Sequence, residues 1–276
     1  MTDRPRRPAR PQTVLEVLST RRLSPHLVRL VLGGEGFATF RTNEFTDRYV
    51  KILFTPPGSA LEPPYDLAAL RETLPADQLP FTRTYTVREV NEAEGWLAID
   101  FVVHGDEGVA GPWAAAAVPG DRVVLSGPGG GYAPDPTADW HLLVGDESAL
   151  PAIAAALDAL PDDAEGDAFV EVGGPEDEVP LTAPAGVELR WVHRGDVANG
   201  TTTLLADAVA AAPWRDGRVH AFVHGERESV KALRDVVLHQ RGVTREHLSI
   251  SGYWARGRAE DTFQAEKREP IGQILP

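Results

Sequence analysis

The first half of the chain is built from short runs in which apolar and polar residues alternate. Six of these runs lie between residues 13 and 134: TVLEVLST, HLVRLVLGG, RYVKILF, FTRTYTVREV, GWLAIDFVVHG and DRVVLSGP. Such alternation is typical of half-buried strands, and the glycine, proline and acidic residues between the runs are typical of turns. Because little helical pattern separates the runs, they predict an antiparallel barrel or sandwich. The segment between residues 55 and 80 predicts a loop with at most one or two helical turns.

The pattern changes after the turn-forming stretch PDPTADW, residues 134–140. From there, short apolar runs alternate with helical segments. HLLVGD, DAFVEVGG, VELRWVHR, RVHAFVHGE and HLSISGYW predict strands, and SALPAIAAALDALP, TTTLLADAVAAA and SVKALRDVVLHQRG predict helices. This alternation indicates a parallel sheet with helices on its faces. The polar segment after Arg256 predicts a short helix that folds back.

The change of pattern and the length of 276 residues together predict two domains. We place a flexible basic arm at 1–12, the β domain at 13–136 and the α/β domain at 137–276. The arm, MTDRPRRPARPQ, lacks the apolar region of a secretory signal. Since ligands bind beyond the carboxyl ends of the strands in open α/β sheets, we expect the site in the crevice between the domains.

The charge and composition narrow the class of function. The formal net charge is −14, and the arm carries the only basic cluster, so we do not expect a nucleic-acid partner. The chain has no cysteine, which excludes disulfides, a thiol nucleophile and cysteine-ligated iron–sulfur or zinc sites. Redox chemistry would therefore need a dissociable cofactor. The absence of cysteine makes a reduced cytoplasm the simplest location. No apolar run approaches about 18 residues, so membrane insertion is not expected.

The stretch RTYTVR, residues 83–88, is the first candidate for ligand binding. In a strand, Arg83 and Tyr85 share one face. A planar guanidinium suits a phosphate, and a tyrosine ring stacks on a planar group. A phosphorylated, planar ligand therefore fits this face. An edge strand with solvated arginines and a packed tyrosine explains the same residues.

Two glycine-rich stretches are further candidates. In DFVVHGDEGVAGPWA, residues 100–114, His104 ends a strand and the following turn leads into a short helix, which would expose backbone N–H groups suited to a pyrophosphate. A strand-end histidine with no ligand explains His104 equally well. In SGPGGGY, residues 126–132, the glycines allow close approach of the backbone, and Tyr132 either stacks on a base or covers the barrel.

The turn VGDESALPA, residues 144–152, follows an apolar strand and opens a helix, where a mononucleotide-binding unit holds its ligand. Asp146 and Glu147 would repel a phosphate, so a ribose, amide or nicotinamide contact is expected. A helix cap formed by Asp146 or Ser148 is compatible with the same residues. The aromatics of SGYW, which end the final strand, either cover a flavin or pack in the core.

Together these stretches resemble the siderophore-interacting protein family, flavin-dependent ferric-siderophore reductases of the ferredoxin-reductase-like superfamily. The matching pieces follow the family's order over about residues 13–265: RTYTVR, DFVVHGDEGVAGPWA, GDRVVLSGPGG, HLLVGDESALPAIAAAL, FVEVGG, RWVHR and SGYWARGRAED. The resemblance implies a six-stranded antiparallel FAD-binding barrel followed by a parallel-sheet NAD(P)H-binding domain, whose C-terminal segment returns to the flavin. It also implies electron transfer from NAD(P)H through FAD to the iron of a ferric siderophore, which releases iron(II).

The resemblance implies roles for single residues. Arg83 is expected at the FAD phosphates, Tyr85 against the isoalloxazine ring and Thr86 near its N5 edge. Tyr253 and Trp254 are expected near the flavin and form the predicted catalytic group with Thr86. The other predicted cofactor-binding residues are Val87, Arg88, Asp100, His104, Gly108, Val109, Ala110, Trp113, Tyr132, Asp146, Glu147, Ser148 and Glu171. A basic mouth formed by Lys51, Arg256 and Lys267 is the predicted substrate site.

The identity of the electron donor is the weaker part of this resemblance. GDESALP replaces the usual glycine-rich fingerprint, and FVHGERES stands where many such reductases keep a cysteine. Reduced ferredoxin is therefore an alternative donor. Glu171, interpreted as following the second strand of the α/β domain, would bond ribose hydroxyls and repel a 2′-phosphate, which favours NADH over NADPH. A general flavin reductase or ferredoxin-linked electron transferase, and a non-catalytic siderophore-binding protein, remain alternative functions.

Overall fold

The structure, a computed structural model, describes residues 11–104 and 108–275. The predicted basic arm lies outside the described residues up to position 10, as do residues 105–107 of the glycine-rich turn after His104. Among the helices of the described ranges, none is long and apolar enough to cross a bilayer.

The first half forms a closed six-stranded antiparallel barrel, so the barrel prediction is confirmed and the sandwich alternative is wrong. The strands lie next to each other in the order β1-β2-β5-β4-β3-β6. Their bounds are β1 Gln12–Ser24, β2 Leu27–Gly33, β3 Tyr49–Phe54, β4 Phe81–Asn91, β5 Trp96–Val102 and β6 Arg122–Gly129. Two short helices accompany them, α1 (Leu67–Thr73) in the predicted loop and α2 (Ala110–Ala116) after the glycine-rich turn.

The second half forms the predicted parallel sheet of five strands, in the order β11-β10-β7-β8-β9. The strands are β7 Trp140–Asp146, β8 Glu165–Val172, β9 Gly186–His193, β10 Val219–Glu226 and β11 Leu248–Trp254. The helices are α3 Leu150–Ala159, α4 Leu204–Ala211, α5 Arg227–Arg234 and α6 Glu260–Glu266. All seven residues of β7 are buried because it lies at the centre of a sheet covered on both faces.

Three apolar cores hold these layers together. Inward-facing residues such as Leu15, Ile52 and Ile99 fill the barrel. Residues of α3, such as Ile153, pack on one face of the sheet and residues of α4, such as Leu205, on the other. The alternation seen in the first half of the sequence thus reflects one filled interior, and the continuous apolar runs of the second half reflect two covered faces.

Strand β4 is the main point of contact between the two domains. Arg88 Nη2 lies 2.6 Å from Asp158 of α3, and Glu260 of α6 accepts hydrogen bonds from Thr84. At the end of β1, Ser24 Oγ donates a hydrogen bond 3.1 Å long to Asp177 of the α/β half. These contacts place the carboxyl ends of the parallel strands opposite the barrel, where the sequence predicts the crevice.

One half of β4 has a free side. Residues 81–86 pair with β3, whereas pairing with β5 begins at Val87. Within the described barrel, the side of residues 81–86 that faces β5 therefore carries no strand pairing. This free edge holds the first four residues of RTYTVR and opens into the crevice.

Candidate functional site

A cavity of about 520 Å³ lies between the barrel, the carboxyl ends of the parallel strands and α6. This volume is in the range of small-molecule sites. Its wall brings together eleven of the residues that the sequence analysis singled out: Lys51, Arg83, Tyr85, Thr86, Asp100, His104, Glu147, Ser148, Tyr253, Trp254 and Lys267. The cavity is therefore the candidate site.

On the barrel side, the free edge of β4 presents a guanidinium and an aromatic ring. The Arg83 side chain is 21% exposed and lies over the Phe81 ring. Its Nη1 is 3.6 Å from a carboxylate oxygen of Asp261. Tyr85 packs against Phe101, with ring centroids 4.4 Å apart, and burial raises the pKa of its hydroxyl. A loosely paired cation and a fixed ring thus line one wall, as a phosphorylated planar ligand requires.

The last strand connects this edge to the sheet. Burial raises the pKa of Tyr253 well above its ordinary value, and a hydrogen bond with Thr86 offsets a smaller part of that rise. The indole Nε1 of Trp254 donates to Asp146 Oδ2 at 2.8 Å. The predicted catalytic residues therefore adjoin one another across the domain boundary.

Asp146 is already engaged by protein groups. It is 4% exposed and does not line the cavity. Its Oδ1 accepts from the backbone N–H and the hydroxyl of Ser148, and its Oδ2 accepts from the backbone N–H of Glu226 and from Trp254. With both oxygens occupied by protein donors, Asp146 shapes the turn after β7 and holds Trp254, and its role as a cofactor ligand stays a prediction.

Glu147 lines the cavity, but it too is engaged. Its carboxylate lies 2.5 Å from Arg194 Nη1 and accepts from Asn199 Nδ2 at 2.8 Å. Burial and the neighbouring Asp146 raise the pKa of Glu147 to about 7, because together they outweigh the opposing charge of Arg194. Sequence reasoning missed Arg194 and Asn199, although RWVHR ends in an arginine directly after β9.

Glu171 lies within β8 rather than after it. The side chain is buried, accepts from Thr202 Oγ1 at 3.0 Å, and has its pKa raised by burial. The Glu171 carboxylate is therefore not exposed at the end of the strand, where the predicted contact with a ribose would need it. The apolar run before Glu171 continues to Val172, which explains the misplacement.

Three further residues predicted to bind cofactor have protein partners instead. Arg88 points away from the Arg83 face and pairs with Asp158 of α3. Asp100 lines the cavity, but it accepts a bidentate pair of bonds, 2.6 and 2.8 Å long, from Arg29. Tyr132 is 2% exposed, lies outside the cavity and packs on His220 and Phe222 of β10, so in the structure its ring belongs to a core of the α/β half.

Of the glycine-rich turn after β5, His104 lines the cavity and the other described residues do not. Gly108 has a φ of +79°, which favours glycine, and Val109 is exposed. Ala110 is buried in the barrel core, as is Val87 of β4, and Trp113 packs edge-on against Phe101. These side chains support the barrel wall next to the cavity.

Two of the three residues of the predicted basic mouth lie in the cavity wall. Lys51 and Lys267 line the cavity, whereas Arg256 is exposed outside it and donates its backbone N–H to Glu226. Arg258 takes the place of Arg256 in the wall, with its Nε 2.6 Å from Glu266. Glycine at position 257 turns the chain between these two arginines, which the sequence pattern did not resolve.

Both halves of the chain match one family. The barrel matches the siderophore-interacting FAD-binding domain over residues 16–132, and the α/β half matches siderophore-interacting protein over residues 138–257. These matches confirm the resemblance drawn from the motifs.

Relatives and solved structures agree with that match. An uncharacterized protein of Mycobacterium tuberculosis is 51% identical over 272 residues, 94% of this chain and 96% of that protein. Ferric vibriobactin reductase ViuB of Vibrio cholerae is 34% identical over 263 residues, 92% of this chain and 93% of ViuB. The crystal structure of a siderophore utilization protein from T. fusca gives a TM-score of 0.78 at 39% identity, over 90% of this chain and 94% of that one. The chain belongs to the siderophore-interacting protein family.

Proposed function

We propose that this protein reduces ferric siderophores with FAD as its cofactor and a pyridine nucleotide as the electron donor, and so releases iron(II). The observation that carries the proposal is the free edge of β4. It presents the Arg83 guanidinium and the Tyr85 ring to a cavity that also contains the ammonium groups of Lys51 and Lys267. A cofactor and an anionic or polar substrate can therefore meet in one space.

The residues of the barrel side fit FAD. Arg83, whose ion pair with the exposed Asp261 is 3.6 Å long, would bind the phosphates, and Tyr85 would lie against the isoalloxazine ring. Thr86 would stand at the edge of the ring and Tyr253 would cover it. When bound, FAD would accept a hydride from the nicotinamide and pass single electrons on to the iron.

The contribution of the protein to the substrate is orientation. The siderophore supplies the ligands of the iron, so the cavity has to hold the complex close to the flavin edge. Lys51, Arg258 and Lys267, which line the cavity, would do this rather than Arg256. Iron(II) is held less tightly by the hard oxygen ligands of siderophores, so reduction loosens the complex.

We propose NADH as the preferred donor. The sequence predicts this preference from Glu171 alone. The structure adds further buried carboxylates at the carboxyl ends of the parallel strands, and these support the same preference. Asp146, Glu171 and Glu226 are buried there with no ion pair among the described residues, and such a set of carboxylates disfavours the 2′-phosphate of NADPH. Reduced ferredoxin as donor and a cytoplasmic location are the remaining predictions from sequence.

The purified protein, with its FAD, tests the proposal when it is mixed anaerobically with NADH or NADPH. Bleaching of the flavin absorbance that is faster with NADH supports the donor assignment, and faster bleaching with NADPH refutes it. If neither nucleotide bleaches a yellow protein, reduced ferredoxin becomes the donor to test. A purified protein that neither contains nor binds FAD would favour a non-catalytic siderophore-binding protein.

A further inference from the structure

Glu260, which sequence reasoning did not single out, ties the C-terminal helix α6 to the barrel. Its Oε2 accepts from the backbone N–H of Thr84 at 2.9 Å, and its Oε1 accepts from the Thr84 hydroxyl at 2.5 Å. Thr84 lies on the free edge of β4, so the carboxylate stands beside the strand that carries Arg83 and Tyr85. At the other end of α6, Glu266 is held 2.5 Å from Arg227 Nη1. Glu260 is therefore fixed in the cavity wall.

Glu260 also stands among the cations of the mouth. Lys51 is paired with Thr84 across β3 and β4, and Lys267 Nζ lies over the Phe263 ring, 4.7 Å from its centroid. Among the described residues, no carboxylate comes within 4.0 Å of either ammonium. Burial lowers the pKa of Lys267, Glu260 raises it and Lys51 lowers it further, so the three charges act on one another.

The charge of the wall as a whole is balanced. Four carboxylates and four cationic side chains line the cavity, in a protein whose formal net charge is −14. Asp100 and Glu147 are paired with arginines, and Asp47 accepts from the backbone N–H groups of Gly131 and Tyr132. Glu260 is thus the carboxylate of the wall that faces the two lysines and limits what they offer to an anion.

We propose that Glu260 determines substrate specificity by charge, and that the preferred substrates are ferric hydroxamate siderophores of little or no charge rather than trianionic ferric tris-catecholates. This inference rests on the proposed function. An uncharged complex gains nothing from a more basic mouth, whereas the repulsion between Glu260 and a trianion grows with each charge on the complex. The anionic surface of the protein adds to that repulsion at long range.

Binding of redox-inert gallium(III) complexes to the FAD-loaded protein tests this independently of catalysis. The probes are the gallium complex of desferriferrichrome, an uncharged tris-hydroxamate, and that of enterobactin, a trianionic tris-catecholate, with quenching of protein and flavin fluorescence as the signal. Glu260→Gln removes the charge and keeps an oxygen to accept from Thr84. Glu269→Gln is the matched control, because it removes an exposed carboxylate from the same segment that does not line the cavity.

We expect wild type to bind the hydroxamate complex more tightly than the catecholate complex. Glu260→Gln should tighten binding of the trianion about tenfold and change binding of the uncharged complex less than about twofold. Glu269→Gln should change neither. Raising the salt concentration should leave wild-type binding of the trianion unweakened, since a balanced wall offers no attraction to screen.

Tighter wild-type binding of the trianion, equal effects of Glu260→Gln on both complexes, or no binding of either complex would each overturn the inference. A wild-type affinity for the trianion that falls steeply with salt would also overturn it, and this measurement needs no variant. If the charge selectivity is found but NADH and the ferric complexes yield no iron(II), the proposed function fails and the role of Glu260 stands. If iron(II) is produced but Glu260→Gln has no effect on selectivity, the proposed function stands and the role of Glu260 fails.

Discussion

The two walls of the cavity differ in how far their polar groups are already engaged. On the barrel wall, the β4 edge has no strand partner over residues 81–86, and Arg83 is 3.6 Å from its nearest carboxylate. On the sheet wall, Asp146 uses both oxygens on protein donors, Glu147 is paired with Arg194, and Glu171 accepts from Thr202. On the barrel wall, Thr84 is held by Glu260, but Arg83 has only a long ion pair and the Tyr85 ring faces the cavity. On the sheet wall, the acidic groups are satisfied within the protein.

This difference indicates two kinds of binding. A wall with free donors can hold a resident cofactor without rearrangement, because the protein has already met the cost of ordering it. A wall whose groups are paired must exchange those bonds for bonds to the ligand, which lowers the net affinity. We therefore expect tight binding of FAD to the barrel and weaker, transient binding of the donor to the sheet.

The largest expected effect is on the open wall. Arg83→Ala should weaken FAD binding about a thousandfold, since it removes the cation available to the phosphates. Flavin absorbance after purification and titration of the apoprotein with FAD measure the change. If the variant is purified with a full complement of FAD, Arg83 does not bind the FAD phosphates.

The contribution of the sheet wall to the unfolding free energy should depend on pH. Because the pKa of Glu147 is raised from an ordinary 4.5 to about 7, the folded protein binds its proton more tightly than the unfolded chain does. This contribution to stability is complete below about pH 4.5 and is lost as the pH rises through about 7. Relative to Glu147→Gln, wild type should lose about 3 kcal/mol of unfolding free energy across that window.

Urea denaturation of both proteins at several pH values measures this difference. Asp163→Asn, an exposed change on the same domain, is the control and should run parallel to wild type. If the unfolding free energies of Glu147→Gln and wild type change with pH in the same way, Glu147 is charged at every pH tested.

The contact between the Tyr253 hydroxyl and Thr86 should have a smaller effect. Tyr253→Phe removes this hydroxyl, which should lower the unfolding free energy by about 1 kcal/mol and leave the ring in place. Tyr65→Phe, directly before α1 and outside the cavity, is the control for loss of a tyrosine hydroxyl. An unchanged stability of Tyr253→Phe would show that the two walls are joined by packing alone.

The smallest effect is expected on the opposite face of β4. Arg88→Ala should retain FAD and lose about 0.5–1 kcal/mol of stability, because its ion pair with Asp158 is partly open to solvent. Flavin content and thermal unfolding at low and high salt measure both quantities. Loss of FAD would restore the cofactor role that the resemblance implies for Arg88.

The elements were largely predictable, since periodicity marks a strand or helix whatever it packs against. Period two in FTRTYTVREV located β4, and strand geometry alone placed Arg83 and Arg88 on different faces. What this geometry could not supply is the partner across the domain boundary. Asp158 lies 70 residues after Arg88, and no local pattern joins them.

The same reason explains the residues of the site that were missed or misassigned. Asp146 and Glu147 were identified as an acidic turn, but their partners Trp254 and Arg194 come from other strands of the sheet. Glu260 lies within a stretch that carries the family resemblance, yet its contact with Thr84 depends on how α6 folds back. Sequence identified the chemistry of single residues, and tertiary contacts decided which of them remain free to bind.

The central claim is that electrons pass from the reduced flavin to siderophore-bound iron in this cavity. The most direct measurement mixes the NADH-reduced, FAD-loaded protein anaerobically with ferric ferrichrome and an iron(II) trap, and follows the flavin and trapped iron together. We predict reoxidation of the flavin with about two iron(II) trapped per flavin, one for each electron carried. A flavin that stays reduced in the presence of the ferric complex, while oxygen or a soluble dye reoxidises it, would contradict the account.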